Sequence, residues 1–530
     1  MRRFLYPKKQ MANKPASRIF WGREYPNLPS LDLTALQRES WQWFLAEGIA
    51  QALQEISPIE DFTGKNWELS FGQHSFGKPS RTPSQAKKKG LTFDAPLKIQ
   101  ATLLNKQTGK TVTQEVFLGD IPQMTSEGTF VINGIERAVV NQIVRSPGVF
   151  FTGEVDPVTG RMFYTAEVRP NRGSWLEFFI VRNDVVFVRI DRRRKYPATV
   201  FLRAIGVSSD EEILDIFKAA EEGGHSFMTA TIEKDSTKSK EEALLELYRR
   251  MRPGEPAILE NAQELIFNMF FNPRRYDLGK VGRYKLNKRL GLSLPNTPEN
   301  WVLKKEDILA AISYLITLQN GKGKTDDIDH LGNRRVRRVG ELVAQMALRT
   351  GLLRLERTVK EKMSLVSVEE KAKPVALVNA QPIISALNEF FRSNQLSAIL
   401  DQTNPLSEVD NLRRLSVMGQ GGITRERASF SIRDINSSQY GRICPIRSPE
   451  GPNIGLVTYL TLCSRINEYG FIETPYRKLE KVKVGKKTRV KITPEIVYLQ
   501  ADDEEQFPIT HAGVNIDKDG YLLDSWVPAR

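Results

Sequence analysis

The stretch YGRICPIRSPEGPNIGL, residues 440–456, mixes turn-forming glycines and prolines with arginine. Residues 411–451 contain seven arginines and no lysine: Arg413, Arg414, Arg425, Arg427, Arg433, Arg442 and Arg447. A guanidinium group binds carboxylate or phosphate through two parallel hydrogen bonds and stays charged when partly buried. We therefore predict a loop-rich cationic surface, in which some arginines pair with Glu426, Asp434 or Glu450 and the others face a phosphodiester backbone.

The composition is that of a large globular protein with an anionic partner. The 530 residues suggest about three or four domains. Lys+Arg 77 against Asp+Glu 63 gives a net charge of +14, which suits a polyanion, although a mild excess on a large chain also favours solubility. With no long apolar run, we expect neither a membrane span nor, behind the basic start at residues 1–9, a secretory signal. The two cysteines, Cys444 and Cys463, fit a reducing compartment, and these cysteines and the four histidines are too scattered for us to expect a zinc site.

The hydrophobic pattern alternates between helical and strand-rich blocks. Residues 64–95 are polar, with Lys87–Gly90 expected in a loop, and short strands are expected in 96–141 and 162–203. The Asn133-Gly134 pair predicts a hairpin turn, because both residues tolerate positive φ. Helices are predicted at Leu31–Ile56, Glu241–Met251, Leu259–Phe271, Lys305–Gln319, Val339–Met363 and Pro382–Arg392. This alternation indicates an α+β multi-domain fold.

Three further basic clusters precede residue 411. Residues 272–289 carry seven cations against Asp277, with Tyr276 and Tyr284 among them. They form either a phosphate-binding surface with stacking aromatic rings or a solvated loop anchored by its tyrosines. Residues 189–195 and 330–338 are similarly rich in arginine, and each also suits an ion-pair network between domains.

Motifs for catalysis are not supported. Gly321–Thr325 ends in Gly-Lys-Thr, but Leu318 stands where a phosphate-binding loop needs its first glycine. The run 326–330, DDIDH, could bind a hard metal ion, but its adjacent carboxylates favour helix capping or pairing with arginine. We therefore expect no catalytic residue and no metal ligand in this chain, which binds but does not itself catalyse.

Several long motifs together closely resemble the β subunit of bacterial-type DNA-directed RNA polymerase. Besides residues 440–456, they are RSPGVFF (145–151), RIDRRRK (189–195), FNPRRYD (271–277), DIDHLGNRR (327–335), DQTNPLSE (401–408), GGITRERA (421–428) and NEYGFIETPYRK (467–478). These motifs are ordered along nearly the whole chain and include all four basic clusters.

The resemblance implies modules called protrusion, lobe and fork. Residues 1–150 and 335–395 are similar to the protrusion, 151–334 to a lobe inserted in it, and 396–530 to the fork region. It implies partners as well: the β′ subunit, an α dimer, ω, a sigma factor, the DNA template and non-template strands and the nascent RNA. In the family, β′ holds the catalytic Mg²⁺, so this chain is expected to bind no cofactor and to work as a nucleotidyltransferase subunit only in complex.

The resemblance also assigns DNA-contacting positions. Five residues match family positions that form a pocket for a non-template base at the downstream edge of the melted DNA bubble. They are Ile328, Asp329, Arg334, Ile423 and Ile432. Arg425 and Arg427 lie in the matched fork loop, 421–430, where they would meet downstream duplex. For Asp329 an ion pair with Arg334 or Arg335 is the alternative, and both roles can hold at different stages.

A second matched set lines the RNA path and the rifamycin pocket of the family. It comprises Ala398, Asp401, Asn411, Arg414, Ser416, Pro449, Glu450 and Asn453. Ala398 and Asn411 stand where susceptible members usually carry Gln and His. We expect weakened rifamycin binding, because alanine has no amide to bond and asparagine offers less contact surface than an imidazole.

The chain ends at Arg530, where family members continue for several hundred residues. We expect a split or truncated β subunit, or an incomplete record of one, that does not polymerise nucleotides alone. The alternative is a non-catalytic nucleic-acid-binding or scaffold fragment. A bacterial cytoplasm, in association with the nucleoid, is the expected location, and a plastid is the other location that these motifs fit.

Overall fold

The computed structural model describes residues 31–221, 226–365, 372–484, 487–517, 519–524 and 526–530. The basic start at residues 1–9 lies outside them. The chain divides into two compact units. The first comprises Met1–Val144 and Asp329–Arg530, and the second comprises Arg145–Ile328.

The strands form five sheets. In chain order the strands are β1 (Ile59–Glu60), β2 (Trp67–Phe76), β3 (Asp94–Asn105), β4 (Thr111–Pro122), β5 (Phe130–Ile132), β6 (Ile135–Val139), β7 (Asn141–Arg145), β8 (Gly148–Val155), β9 (Met162–Arg169), β10 (Leu176–Ile180), β11 (Val186–Ile190), β12 (Lys195–Pro197), β13 (Arg334–Arg337), β14 (Ser397–Ile399), β15 (Arg414–Ser416), β16 (Val457–Tyr459), β17 (Arg465–Ile466), β18 (Ile472–Val484) and β19 (Lys487–Leu499). The sheet orders are β1-β2-β3-β4, β12-β11-β10-β9-β8, β13-β7-β15-β16, β14-β6-β5 and β17-β18-β19.

Helices are concentrated in the second unit and between residues 339 and 412. The α-helices are Ala35–Trp43, Ile49–Ile56, Pro83–Lys89, Ala198–Ala204, Asp210–Phe217, Phe227–Lys234, Lys240–Met251, Leu259–Phe270, Gly279–Leu290, Lys305–Gln319, Val339–Leu342, Arg349–Leu365, Pro374–Leu377, Gln381–Ser393, Pro405–Leu412, Phe430–Arg433 and Ala501–Glu504. Short π-helical turns at Phe44–Gly48 and Val343–Leu348 join successive α-helices, and 3₁₀ turns lie at Pro298–Asn300, Arg425–Arg427, Ser437–Gln439 and Gly451–Asn453. In the described part of the chain, none of these helices has the length and apolarity needed to cross a bilayer.

The first unit has two main apolar cores. In the larger one, alternate residues of β3 pack against the helices around Leu348 and Phe391. The smaller core joins Leu331 and Val336 to residues of the 415–472 region. The chain leaves the first unit at the end of β7 and returns to it a few residues before β13. These two strands are neighbours in one sheet. A single sheet therefore carries both Arg334 and Arg414.

The second unit packs helices on one face of its five-stranded sheet. The inward residues alternate along each strand, as in β10, where Leu176, Phe178 and Ile180 are buried. Asp326 accepts from the Phe151 backbone N–H at 2.8 Å and pairs with Arg289 at 2.9 Å. Arginine pairing, the favoured role for this acidic run, is confirmed for Asp326.

The α+β prediction and most predicted helices are confirmed. The Asn133-Gly134 turn is confirmed as well, with φ values of 51° and 79°. The predicted boundaries of the protrusion, the lobe and the fork region stay a prediction.

Three local predictions were wrong, and one strand was not predicted. Lys87–Lys89 ends a helix rather than lying in a loop, because Thr82 and Gln85 form a capping box ahead of it. The first helix starts at Ala35 rather than Leu31, since Asp32 accepts from the Thr34 backbone N–H in a local turn. Ala198–Ala204, within the strand block, is a fully buried helix. The polar 64–95 segment contains strand β2, whose pattern is hidden because few of its residues are buried.

The basic cluster at 272–289 is mainly a helix, Gly279–Leu290, so the prediction of a loop was wrong. Its Arg283 is fully buried and reaches both carboxylate oxygens of Asp307, at 2.7 and 3.0 Å. Arg283 also donates to the carbonyls of Asn300 and Val302. Tyr276 is fully buried, as the anchoring alternative required. This part of the cluster therefore holds the second unit together.

We predict that Arg283→Gln destabilises the second unit by about 3–5 kcal/mol, because it leaves the Asp307 carboxylate buried without its cation. Native-state hydrogen exchange of the helix Lys305–Gln319 measures the loss. Arg252→Gln, which removes an exposed ion pair to Glu255 in the same unit, is the control and should leave exchange nearly unchanged. Equal effects of both changes would contradict the role given to burial.

Candidate nucleic-acid interface

Arg442 fixes the arginine-rich segment from inside. Its side chain is fully buried, and its guanidinium donates to the carbonyls of Ser438, Tyr440, Ile472 and Leu499 at 2.8–3.3 Å. The same group lies 2.5 Å from the Glu504 carboxylate. Five donors in a planar fork can satisfy this many acceptors, which an ammonium cannot do. Arg442 thereby ties the 438–444 loop to the base of the β18–β19 hairpin.

Two further arginines of the segment hold backbone rather than acids. Arg413 is 8% exposed and donates to the Thr461 carbonyl, and its burial lowers the pKa of its guanidinium. Arg433 donates to the carbonyls of Pro452 and Ile454, both at 2.9 Å. Arg433 also lies 3.5 Å from the Arg425 carbonyl, so it links the 452–454 loop to the Arg425–Arg427 turn.

The expected acidic partners were wrong. In the described residues, the ion pairs of these seven arginines involve Glu504 and Asp410. Glu426, Asp434 and Glu450 form no ion pair within that part of the chain. The reason is geometric, because the fold brings Arg442 and Arg447 to acids that are distant in sequence, whereas the neighbouring acids stand on exposed turns.

Arg425 and Arg427 are exposed and form the two ends of one short 3₁₀ turn. No ion pair engages either side chain in the described residues. Hydrogen bonds from its own backbone N–H and from Thr424 lower the pKa of Glu426, and the charges of Arg425 and Arg427 add a smaller effect. Ile423 and Ile432 flank this turn and pack on the smaller core, Ile432 being 8% exposed. The two isoleucines therefore anchor the loop while the two arginines face outward.

The start of this loop is tied to β7 and β13. Arg337 donates to the side-chain oxygen of Gln142 and, at 2.9 Å, to the Gln420 carbonyl. Gln142 in turn donates to the carbonyls of Met418 and Gln420 at 3.0 and 3.2 Å. Partial burial lowers the pKa of the Arg337 guanidinium. Arg337 and Gln142 thus fix the start of the loop that carries the exposed arginines.

The remaining residues of the predicted DNA-contacting set lie on both sides of the boundary between the two units. Asp329 begins the return to the first unit, and Arg334, 7% exposed, lies on β13. The intervening loop is held by Leu331, whose backbone N–H donates to Ser438 at 2.9 Å, and by His330, which lies 3.1 Å from Glu505. Leu331 shares the smaller core with Ile432. Ile328 ends the second unit, so the set is only partly brought together within one unit.

Arg414, a member of the second predicted set, lies beside Tyr459. The guanidinium carbons of Arg414 and Arg447 lie 5.7 and 4.8 Å from the Tyr459 ring centre. Arg447 also donates to Asp410 at 3.0 Å. Asp401 has a lowered pKa, chiefly through a hydrogen bond from the Thr403 hydroxyl, with a smaller contribution from the Arg414 charge. The charge of Arg414 therefore acts on both the Tyr459 ring and the Asp401 carboxylate.

The other members of this set differ in accessibility. Ala398, on β14, pairs with Ala138 of β6 and is partly exposed, while Asn411 is 4% exposed and donates to the Ser407 carbonyl. Ser416 is buried, and its hydroxyl accepts from the Met418 backbone N–H. Glu450 is exposed beside the 3₁₀ turn Gly451–Asn453, with Pro449 and Asn453 partly exposed around it.

Several supporting residues escaped sequence reasoning. Gln142, Arg337, Tyr459 and Glu504 are each distant in sequence from the arginines or loops that they hold. Glu136 is another, since it accepts from Lys87, Thr129 and Gln402 and so joins three segments. For Glu136, the only signal in the sequence was an acidic residue within a segment of alternating strand pattern. Among the described residues, no three His, Cys, Asp or Glu side chains are grouped so that they could hold a metal ion.

Three family descriptions match this chain. They are RNA polymerase Rpb2 domain 2 over residues 145–337, RNA polymerase Rpb2 domain 3 over 398–466, and the RNA polymerase beta subunit external 1 domain over 476–530. The first begins where the second structural unit begins and ends nine residues beyond it.

Curated relatives named DNA-directed RNA polymerase subunit beta cover almost the whole chain. The protein from Syntrophomonas wolfei is 49% identical over 97% of this chain, and those from Nostoc sp. and Gloeobacter violaceus are 50% identical over 94% and 95%. The matched regions make up 45%, 43% and 44% of those relatives, so the chain spans less than half of their length.

We predict that Gly455→Ala destabilises the first unit by roughly 2–4 kcal/mol. Gly455 has a φ of 69°, and an added Cβ would lie 2.3 Å from the Arg433 carbonyl oxygen. Gly109→Ala is the matched control, since its φ is 67° but no atom lies within 4 Å of the added Cβ. Differential scanning fluorimetry should show a clearly larger fall in unfolding temperature for Gly455→Ala. A fall no larger than the control's would mean that the turn adapts without strain.

We also predict that Glu136 contributes to acid sensitivity. Burial opposes its ionisation, but hydrogen bonds from Lys87 and Thr129 outweigh burial and lower its pKa. A lowered folded-state pKa stabilises the protein above the unfolded value of about 4.3, and this contribution is lost as pH falls through the folded value. Glu136→Gln should therefore flatten the fall in stability between about pH 5 and pH 3 and cost about 1 kcal/mol at neutral pH.

The control for this measurement is Glu115→Gln, which removes an exposed ion pair to Lys98. Urea unfolding at a series of pH values should give the native pH profile for the control. An unchanged profile for Glu136→Gln would contradict the role of the buried carboxylate.

Proposed function

Since this chain belongs to the RNA polymerase β-subunit family, we propose that it is the N-terminal part of a β subunit. Within an assembled DNA-directed RNA polymerase it grips DNA and lines the RNA path during template-directed transcription. The identity of 49–50% over 94–97% of the chain is the observation that carries this proposal. The exposed turn with Arg425 and Arg427, which Ile423 and Ile432 anchor to the smaller core, is consistent with it.

The chemistry belongs to the assembly rather than to this chain. The matched motifs provide cations and hydrogen-bonding groups, and the described residues include no grouped metal ligands. The partner β′ supplies the Mg²⁺ that nucleotidyl transfer needs. An α dimer, ω and a sigma factor complete the complex, which works in a bacterial cytoplasm at the nucleoid or in a plastid.

Residue roles follow from exposure and charge. Arg425 and Arg427 contact the phosphates of downstream duplex DNA. Asp329 and Arg334, together with Ile423, Ile432 and Ile328, recognise a non-template base, as the resemblance implies. Arg414, Ser416, Glu450 and Asn453 line the RNA path, where the stacking of Arg414 and Arg447 on Tyr459 limits their motion.

Reconstitution tests the proposed function. The chain is co-expressed with the remainder of a β subunit from a close relative, with β′, α and ω, and template-dependent RNA synthesis is measured. We expect a stable complex that makes RNA only when this chain is present. A complex that never includes the chain, or that makes RNA equally well without it, would contradict the proposal.

We predict weak inhibition of that enzyme by rifampicin. Ala398 offers no side-chain amide, and the Asn411 side chain is turned inward onto the Ser407 carbonyl. Ala398→Gln combined with Asn411→His should lower the inhibitory concentration about tenfold or more, the worth of one or two regained hydrogen bonds. Dose–response curves of RNA synthesis measure this change, and tight inhibition of the unaltered enzyme would refute it.

A further inference from the structure

The β18–β19 hairpin divides its charges between two faces. Leu479, Lys481 and Lys483 occupy alternate positions of β18 and therefore point to one side, and Arg477 stands two residues before Leu479, across an irregularity in the register of the hairpin. Directly opposite them on β19 are Ile496, Ile492, Val490 and Thr488. We call these eight residues the cation face, and none of them is acidic.

The opposite face balances its own cations. Glu480 lies across from Lys491, and Lys478 lies 3.5 Å from Glu495. Arg489 lies 3.8 Å from Asp517, and both Arg489 and Lys491 stand over the Tyr521 ring. Lys478, Arg489 and Lys491 therefore each have an acidic partner or neighbour within the chain.

The three cations of the cation face are exposed and uncompensated. In the described part of the chain, Arg477, Lys481 and Lys483 make no ion pair or side-chain hydrogen bond. At about 3.3 Å per residue, alternate positions lie nearly 7 Å apart, so the row extends roughly 20 Å. Such a row fits a ligand with regularly repeated negative charges better than a single small anion.

The shape favours nucleic acid over an acidic protein. A two-stranded ribbon is narrow enough to enter a major groove about 12 Å wide, where lysine and arginine reach the flanking phosphates. A protein interface of ordinary size needs aromatic or large apolar residues at its centre. Leu479 is the one exposed apolar side chain among the eight residues of the cation face, since Val490, Ile492 and Ile496 are half-buried.

We propose that the cation face of the β18–β19 hairpin binds the phosphate backbone of duplex DNA. This surface is separate from the Arg425–Arg427 turn and holds no residue assigned a role above. The inference does not depend on the proposed function, because it rests on the charge and geometry of the hairpin alone.

The test compares two variants that lose the same charge. Arg477→Gln, Lys481→Gln and Lys483→Gln are combined in one protein, and Lys478→Gln, Arg489→Gln and Lys491→Gln in the control. Fluorescence anisotropy of the full chain with a labelled duplex of about 20 base pairs gives Kd over a range of salt concentrations. A poly-aspartate peptide is titrated in parallel.

We expect the cation-face variant to raise Kd about tenfold at roughly 0.1 M salt and to lower the slope of log Kd against log salt by about 2.7. The control should change Kd less than about twofold, since its cations already have partners in the chain. Both effects should persist when Arg425→Gln and Arg427→Gln are added, so that failure of this inference is distinguishable from failure of the fork assignment.

Three outcomes would overturn the proposal. They are equal losses in both variants, an unchanged salt slope in the cation-face variant, and a loss confined to the poly-aspartate titration. The last would identify an acidic protein as the partner. Because all six positions lie at the surface of one hairpin, matching unfolding temperatures establish that the variants are folded.

Discussion

The arrangement of the arginine-rich segment depends on one buried guanidinium. Arg442 has no exposed surface, and its donors reach four backbone carbonyls and the Glu504 carboxylate. A charge removed from water is tolerable only when its donors are satisfied in this way. That requirement fixes the positions of the 438–444 loop, the base of the β18–β19 hairpin and the short helix Ala501–Glu504 relative to one another.

Arginines in this protein therefore divide into two kinds that a net charge cannot distinguish. One kind, with Arg283, Arg337 and Arg413, is buried or partly buried and holds carbonyls or acids that are distant in sequence. The other, with Arg425 and Arg427, stands exposed on a turn. Of the first kind, Arg337 holds the loop that leads to this turn through the Gln420 carbonyl, and a loop held in place loses less conformational entropy when a polyanion binds.

Sequence reasoning predicted the fold class, the hairpin at Asn133-Gly134 and most helices, because each leaves a local pattern. It also located the arginine-rich surface. It assigned the wrong acids to those arginines, since Glu504 and Asp410 come into contact with them only through tertiary packing. For the same reason it missed Gln142 and Tyr459, and it overlooked the cation face, whose meaning depends on which side of a ribbon each charge occupies.

The central claim is that the exposed pair Arg425 and Arg427 contacts phosphate while the buried arginines only support it. The most direct measurement is the salt dependence of duplex DNA binding by the full chain carrying Arg425→Gln and Arg427→Gln. Two lost phosphate contacts should reduce the slope of log Kd against log salt by about 1.8, with the unfolding temperature unchanged. An unchanged slope, or a loss of binding that accompanies a loss of stability, would contradict this claim.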